Sequence, residues 1–228
     1  MGVVYRATDP ATGRMVALKV LLAADHAGDQ ATRRFQKEAE TARMIDHPNV
    51  VRVHELGWHE GKPFFTMDLV DGGSLEAVRG SVKDPGWYAR VMAGVARGLH
   101  AAHIRGLAHR DVKPSNILLE GDVPRLTDFG LARELSSVGT RLTATGEVLG
   151  TPHYMAPEQA RSGAFDPALG DQYSVGAVLY DLLAGRPPHD GDSPVAVMMS
   201  LTTQRPPPLQ RVAPGVPEPL VRVVEQAM

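Results

Sequence analysis

The 228-residue chain contains no cysteine. That removes disulfides, thiolate zinc sites and cysteine nucleophiles together, and it fits a reducing compartment. Charge of one sign is also lacking: 24 Lys and Arg stand against 26 Asp and Glu, and the basic residues are scattered along the chain. A nucleic-acid binder needs a basic run or stripe, so that class is set aside. Long apolar runs are missing too. The most apolar stretch, Tyr173 to Gly185, is one helix long, carries Asp181 and is too short for a bilayer span. It reads as a buried core helix. The opening Met1-Gly2-Val3-Val4 has neither the basic stretch nor the apolar run of a secretory leader, so a cytoplasmic location is expected. Nine histidines are present, but His47, His54, His59 and His103 show no metal spacing with carboxylates.

What is there is ordinary globular material, 43% hydrophobic and 22% charged. The opening third reads as β with one helix. Val3–Ala7 and Met15–Val20 are β-rich runs joined by the turn Asp9-Pro10-Ala11-Thr12-Gly13. Alternation in the second run puts Ala17 and Lys19 on one face, opposite Val16, Leu18 and Val20, as a cleft wall would require. A charged helix over Ala31–Ile45 is stopped by His47-Pro48-Asn49, and strands follow around Val50–Leu56 and Pro63–Leu69. Asp71-Gly72-Gly73-Ser74 reads as a hinge. Beyond it Tyr88, Val91, Met92, Val95, Leu99 and Ala102 recur at helical spacing. A loop-rich middle runs from Gly106 to about Glu158. Helical patterns return at Tyr173–Leu183, Pro194–Thr202 and Pro217–Met228.

Chemistry concentrates in the middle. His109-Arg110-Asp111-Val112-Lys113-Pro114-Ser115-Asn116 is followed by Asp128-Phe129-Gly130 and then Ala156-Pro157-Glu158. Any one of these is a plausible turn. All three in this order resemble the catalytic loop, the magnesium-binding loop and the end of the activation segment of protein kinases, of the bacterial serine/threonine type. The Ala-, Gly-, Pro- and Arg-rich composition suits a GC-rich bacterial source.

The resemblance implies an α+β, two-lobed fold: a small antiparallel β-sheet lobe with one helix, residues 1–70, and a larger, mainly helical lobe, residues 71–228. It implies ATP and Mg²⁺ as reactant and metal, and protein hydroxyls, including the chain's own, as acceptors. Phosphoryl transfer is mostly positioning and charge neutralisation. Asp111 would accept the hydroxyl proton, Lys113 would reach the transferred phosphate, and Asn116 and Asp128 would ligate Mg²⁺. Lys19, in Val16-Ala17-Leu18-Lys19, resembles the lysine on the α- and β-phosphates, with Glu38 as its partner and Glu40 as the alternative. Val4, Ala17 and Leu118 would sandwich adenine, Met67 would close the back, and the backbone of Asp68 and Val70 would meet the ring edge. Thr143 and Thr145 resemble activation-loop phosphorylation sites able to dock on Arg110. Thr151 resembles the threonine that favours hydroxyl substrates, and Asp171 the helix aspartate that holds the catalytic loop.

Two departures accompany the resemblance. Gly2 would be the third glycine of the phosphate-covering loop, without the first strand and first two glycines, so an upstream start is expected. The chain ends before the arginine that would pair with Glu158. These departures support an alternative: a non-catalytic kinase-like signalling or binding module, or an inactive gene fragment.

Overall fold

The computed structural model describes residues 2–21, 29–81, 84–129, 152–161 and 165–228, with residues 29–35 described by their backbone alone. Strands β1 (Gly2–Thr8), β2 (Met15–Leu21), β3 (Val53–His59) and β4 (Lys62–Asp68) form an antiparallel sheet in the order β1-β2-β4-β3. The register sets Ala17 opposite Met67 and Lys19 opposite Phe65. Helix α1 (Asp29–Arg43) accompanies this sheet. Ala39 of α1 packs with Ala17, Leu21, Val51, Phe65 and Met67 in one apolar cluster.

The larger lobe is built on two helices. In α2 (Pro85–His103), Asp84 caps the N-terminus by accepting from Gly86 N and Trp87 N, and Pro85 opens the first turn. Its stripe Val91, Val95, Leu99 and Ala102 is buried against α4 (Pro167–Ala184). Helix α4 starts at the Asp166 cap, ends at Gly185 with φ of 73°, and is buried almost all round, as its composition required. Short helices α3 (Pro157–Ala160) and α6 (Leu209–Val212), with α5 (Pro194–Thr203) and α7 (Glu218–Ala227), complete the described part. Among the described residues no helix is long and apolar enough to cross a membrane.

Between the lobes lies a hairpin, β5 (Ile117–Glu120) and β6 (Val123–Leu126). It sits in the segment read from sequence as loop-rich. Ser74 bridges to Leu118, Leu75 N donates to Ile117 O, and Leu119 N donates to Gly73 O, so the connector is stitched to the hairpin. A β-carbon on Gly72 would stand 1.8 Å from Leu119 O, which leaves only glycine for that position. On the other side, Val50 pairs with Leu126 and Asn49 Nδ2 donates to Pro124 O. Both lobes therefore close on the same hairpin.

Candidate active site

The loop after α2 carries Arg110 at φ of 62°, a conformation costing a non-glycine residue about 1–2 kcal/mol. Asp171, fully buried on α4, offsets that strain. Its Oδ1 accepts from Arg110 N at 2.6 Å, while Oδ2 accepts from His109 N and from His103 Nε2, both at 2.7 Å. A carboxylate has acceptor capacity for all three donors, and bonds to a charged acceptor are the stronger kind. His109 lies beneath the loop with no exposed surface. Its Nε2 donates to Thr127 O, so Nδ1 is left to accept from Asp111 N, and the ring is neutral with the proton on Nε2. Phe129 packs on that ring, with centroids 4.7 Å apart.

Asp111 is thereby presented at the loop's apex. Its Oδ2 receives Lys113 Nζ at 2.8 Å and Asn116 Nδ2 at 3.0 Å. Asn116 Nδ2 also donates to Asp111 O at 2.8 Å. With the amide nitrogen so committed, Asn116 Oδ1 is the atom left for another partner. Asp128, the second residue with φ of 62°, follows β6. Its Oδ1 is buried and lies 2.5 Å from Lys19 Nζ, an ion pair by distance but without hydrogen-bond alignment.

The expected Lys19–Glu38 pair is not what forms. Lys19 meets Asp128, and Glu38 meets Arg110, its Oε1 being 3.2 Å from Nη1. The physical reason is local: the Asp171-held loop aims the Arg110 guanidinium at α1, and both carboxylates keep a cation. Of the two candidate partners on α1, Glu38 is half-buried and Glu40 is exposed.

The apolar slot assembles in part. Ala17 and Met67 are buried, and Val70 and Leu118 pack against their cluster, whereas Val4 stands 53% exposed above it. A β-carbon at Gly2 would meet Val20 O at 2.5 Å. Asp68 N donates to Arg52 O. The Asp68 carboxylate turns the other way, to Arg125 and His54, a network that sequence reading missed. A void of about 10 Å³ lies behind Met67, between Ala42, Phe65, Thr127 and Phe129. Glu158 opens the short helix α3, and its charge, after burial itself, helps push the Tyr173 hydroxyl up. Gly130, Thr143, Thr145 and Thr151 lie outside the described residues.

A family profile described as "Protein kinase domain" matches residues 1–213. The chain belongs to that family. This kinase domain is 42% identical over 228 residues to the DNA damage-responsive serine/threonine-protein kinase RqkA of Deinococcus radiodurans, covering 97% of this chain and 33% of that protein. It is 37% identical to the serine/threonine-protein kinase PrkC of Bacillus subtilis, covering 100% of this chain and 35% of the relative. It thus spans about a third of the length of these two relatives. The solved PknI kinase domain of Mycobacterium tuberculosis superposes with a TM-score of 0.76 at 32% identity, covering 100% of this chain and 82% of that one. The two-lobed architecture is that of the kinase fold.

The donor set suits a hard divalent cation. The carbonyl oxygen of Asn116 and the carboxylate of Asp128 are oxygen ligands, and Asp128 Oδ1 is buried beside the Lys19 ammonium with no aligned hydrogen bond among the described residues. Among the described residues no group of three or more His, Cys, Asp or Glu is arranged to hold a metal ion by itself. A magnesium site that draws its remaining ligands from phosphates and water needs none.

Proposed function

We propose that this domain transfers the γ-phosphoryl group of ATP to serine and threonine hydroxyls of proteins. The observation that carries the reading is the Asp111 carboxylate, held between Lys113 Nζ and Asn116 Nδ2 on a loop anchored from below by Asp171. Asp111 orients the substrate hydroxyl and takes its proton as the oxygen attacks phosphorus. Lys113, beside it, offsets charge on the transferred oxygens. Asn116 and Asp128 hold Mg²⁺, which when bound neutralises the phosphates. Lys19 is the cation for the α- and β-phosphates, exchanging its contact with Asp128 for them.

Ala17, Val4, Met67 and Leu118 enclose the adenine ring. The Asp68 N–H is already engaged by Arg52, so Asp68 offers the ring edge its carbonyl, and Val70 its N–H. Gly2 gives the backbone close approach over the phosphates. Arg110, Glu158 and Asp171 are structural, with Arg110 also the dock for a phosphorylated threonine. Thr143 and Thr145 are assigned as autophosphorylation sites in a second copy of the chain, and Thr151 as the hydroxyl-selecting residue, on sequence grounds.

The test is radiolabelled γ-phosphate incorporation with Mg²⁺ and a basic generic protein substrate, beside Asp111→Asn. Label that disappears in the variant is the expected result. No label from soluble, cooperatively melting wild-type protein overturns the activity and leaves a non-catalytic member of the family.

A further inference from the structure

The basic residues that are scattered in sequence are gathered by the fold behind the connector between the lobes. A cleft of about 750 Å³ there is lined by Arg14, Arg43, Arg52 and Arg125 against Asp46 and Asp68. Four arginines against two aspartates leave a surplus of two positive charges, in a chain whose formal net charge is −2.

The pairing inside the cleft is uneven. Asp68 is engaged on both oxygens: Arg125 Nη1 lies 3.0 Å from Oδ2, and His54 Nε2 lies 3.0 Å from Oδ1. Arg125 is further engaged by Glu120 at 3.1 Å. Arg14, Arg43 and Arg52 are exposed, and among the described residues none has a carboxylate within ion-pair distance. They come from three elements: Arg14 precedes β2, Arg43 ends α1, and Arg52 precedes β3. Asp46 is the acid that remains unclaimed on the rim.

We propose that this cleft docks an acidic peptide segment of a protein partner. Guanidinium forks match carboxylates at two points, and they are less strongly hydrated than ammonium groups. Three arginines carried on separate elements can be met together by one extended segment, because alternate side chains on one face recur at about 7 Å. The volume lies within the range of about 300–1,000 Å³ for ligand clefts. The lining contains no Phe, Tyr or Trp on which bases would stack, which favours peptide over single-stranded nucleic acid. The docking site stands independently of the proposed catalysis.

The experiment is fluorescence anisotropy with a labelled peptide of ten residues alternating Glu and Ser. Wild type is expected to bind saturably and more weakly as salt rises. Arg43→Glu with Arg52→Glu should weaken binding about tenfold or more, Asp46→Asn should tighten it, and Arg211→Glu with Arg222→Glu, remote on α6 and α7, should leave it unchanged. If the reversed pair melts non-cooperatively, Arg43→Gln with Arg52→Gln takes its place. Absence of saturable binding overturns the proposal. So does equal weakening in the remote variant, tighter binding of a single-stranded oligonucleotide of equal charge, or competition by inorganic phosphate at the peptide's own concentration.

Discussion

The Arg110 guanidinium lies 3.2 Å from the Glu38 carboxylate, joining the loop that carries Asp111 to the helix beside the β-sheet. Both side chains are partly exposed, at 28% and 21%, so solvent weakens the pair without removing it. A double-mutant cycle with Glu38→Gln and Arg110→Gln should give a coupling of about 0.5–1 kcal/mol in urea unfolding, diminishing with added salt. The cycle cancels the other contacts of each residue. Zero coupling at low salt would show the contact to be energetically idle.

Asp171→Asn tests the anchor under the loop. An amide keeps the shape but has one accepting oxygen, and it turns an N–H₂ toward donors that need acceptors. The variant should lose about 3 kcal/mol of stability, read as a lower urea midpoint with an unchanged slope. An unchanged midpoint would mean that Arg110 holds its left-handed conformation without help.

Gly72→Ala addresses the connector. The added methyl would overlap Leu119 O, so the Ser74–Leu118 bridge must open or the hairpin must shift. A loss of about 1–3 kcal/mol is expected, with faster amide exchange at Leu119 than in wild type. Wild-type exchange at Leu119 would refute the packing argument.

His189 gives a pH signature. It is 2% exposed, its Nδ1 lies 3.1 Å from Ser200 Oγ, and burial depresses its pKa below the ordinary 6.5. Below pH 6.5 the unfolded chain therefore binds more protons at this residue than the folded one does. The stability it contributes is complete above pH 6.5 and is lost as pH falls through the depressed folded value. His189→Gln should remove that part of the decline, seen as a shallower fall of Tm between neutral and mildly acidic pH. A parallel fall in both proteins would exclude His189 as its source.

Much of this was legible in the chain. The helical stripe of Val91, Val95 and Leu99 marked α2, because a two-sided environment imposes a 3.6-residue period that sequence preserves. Lys19 and Ala17 sharing a face followed from strand alternation. The β5–β6 hairpin was missed because the catalytic motifs around it drew the segment into a loop reading. Its signal was present, however, in Gly121-Asp122 between the apolar runs Ile117–Leu119 and Val123–Leu126. Charge partners were the least legible part. Lys19 with Asp128, Glu38 with Arg110, and Asp68 with Arg125 are set by approach across the lobes, and residue type carries no record of which opposite charge lies nearest.

The shared hairpin also bears on whether the lobes are folding units. Val51 N donates to Leu126 O and Leu126 N donates to Asn49 O, so the small lobe's edge is completed by strand residues from far along the chain. Severing the chain at the connector would strip those partners away and bare Val50, only 3% exposed in the intact protein. The boundary between the lobes is thus a line of geometry and not of autonomy. Neither side reaches its final backbone pairing until the other has delivered its share, and that pairing closes a loop of long sequence separation.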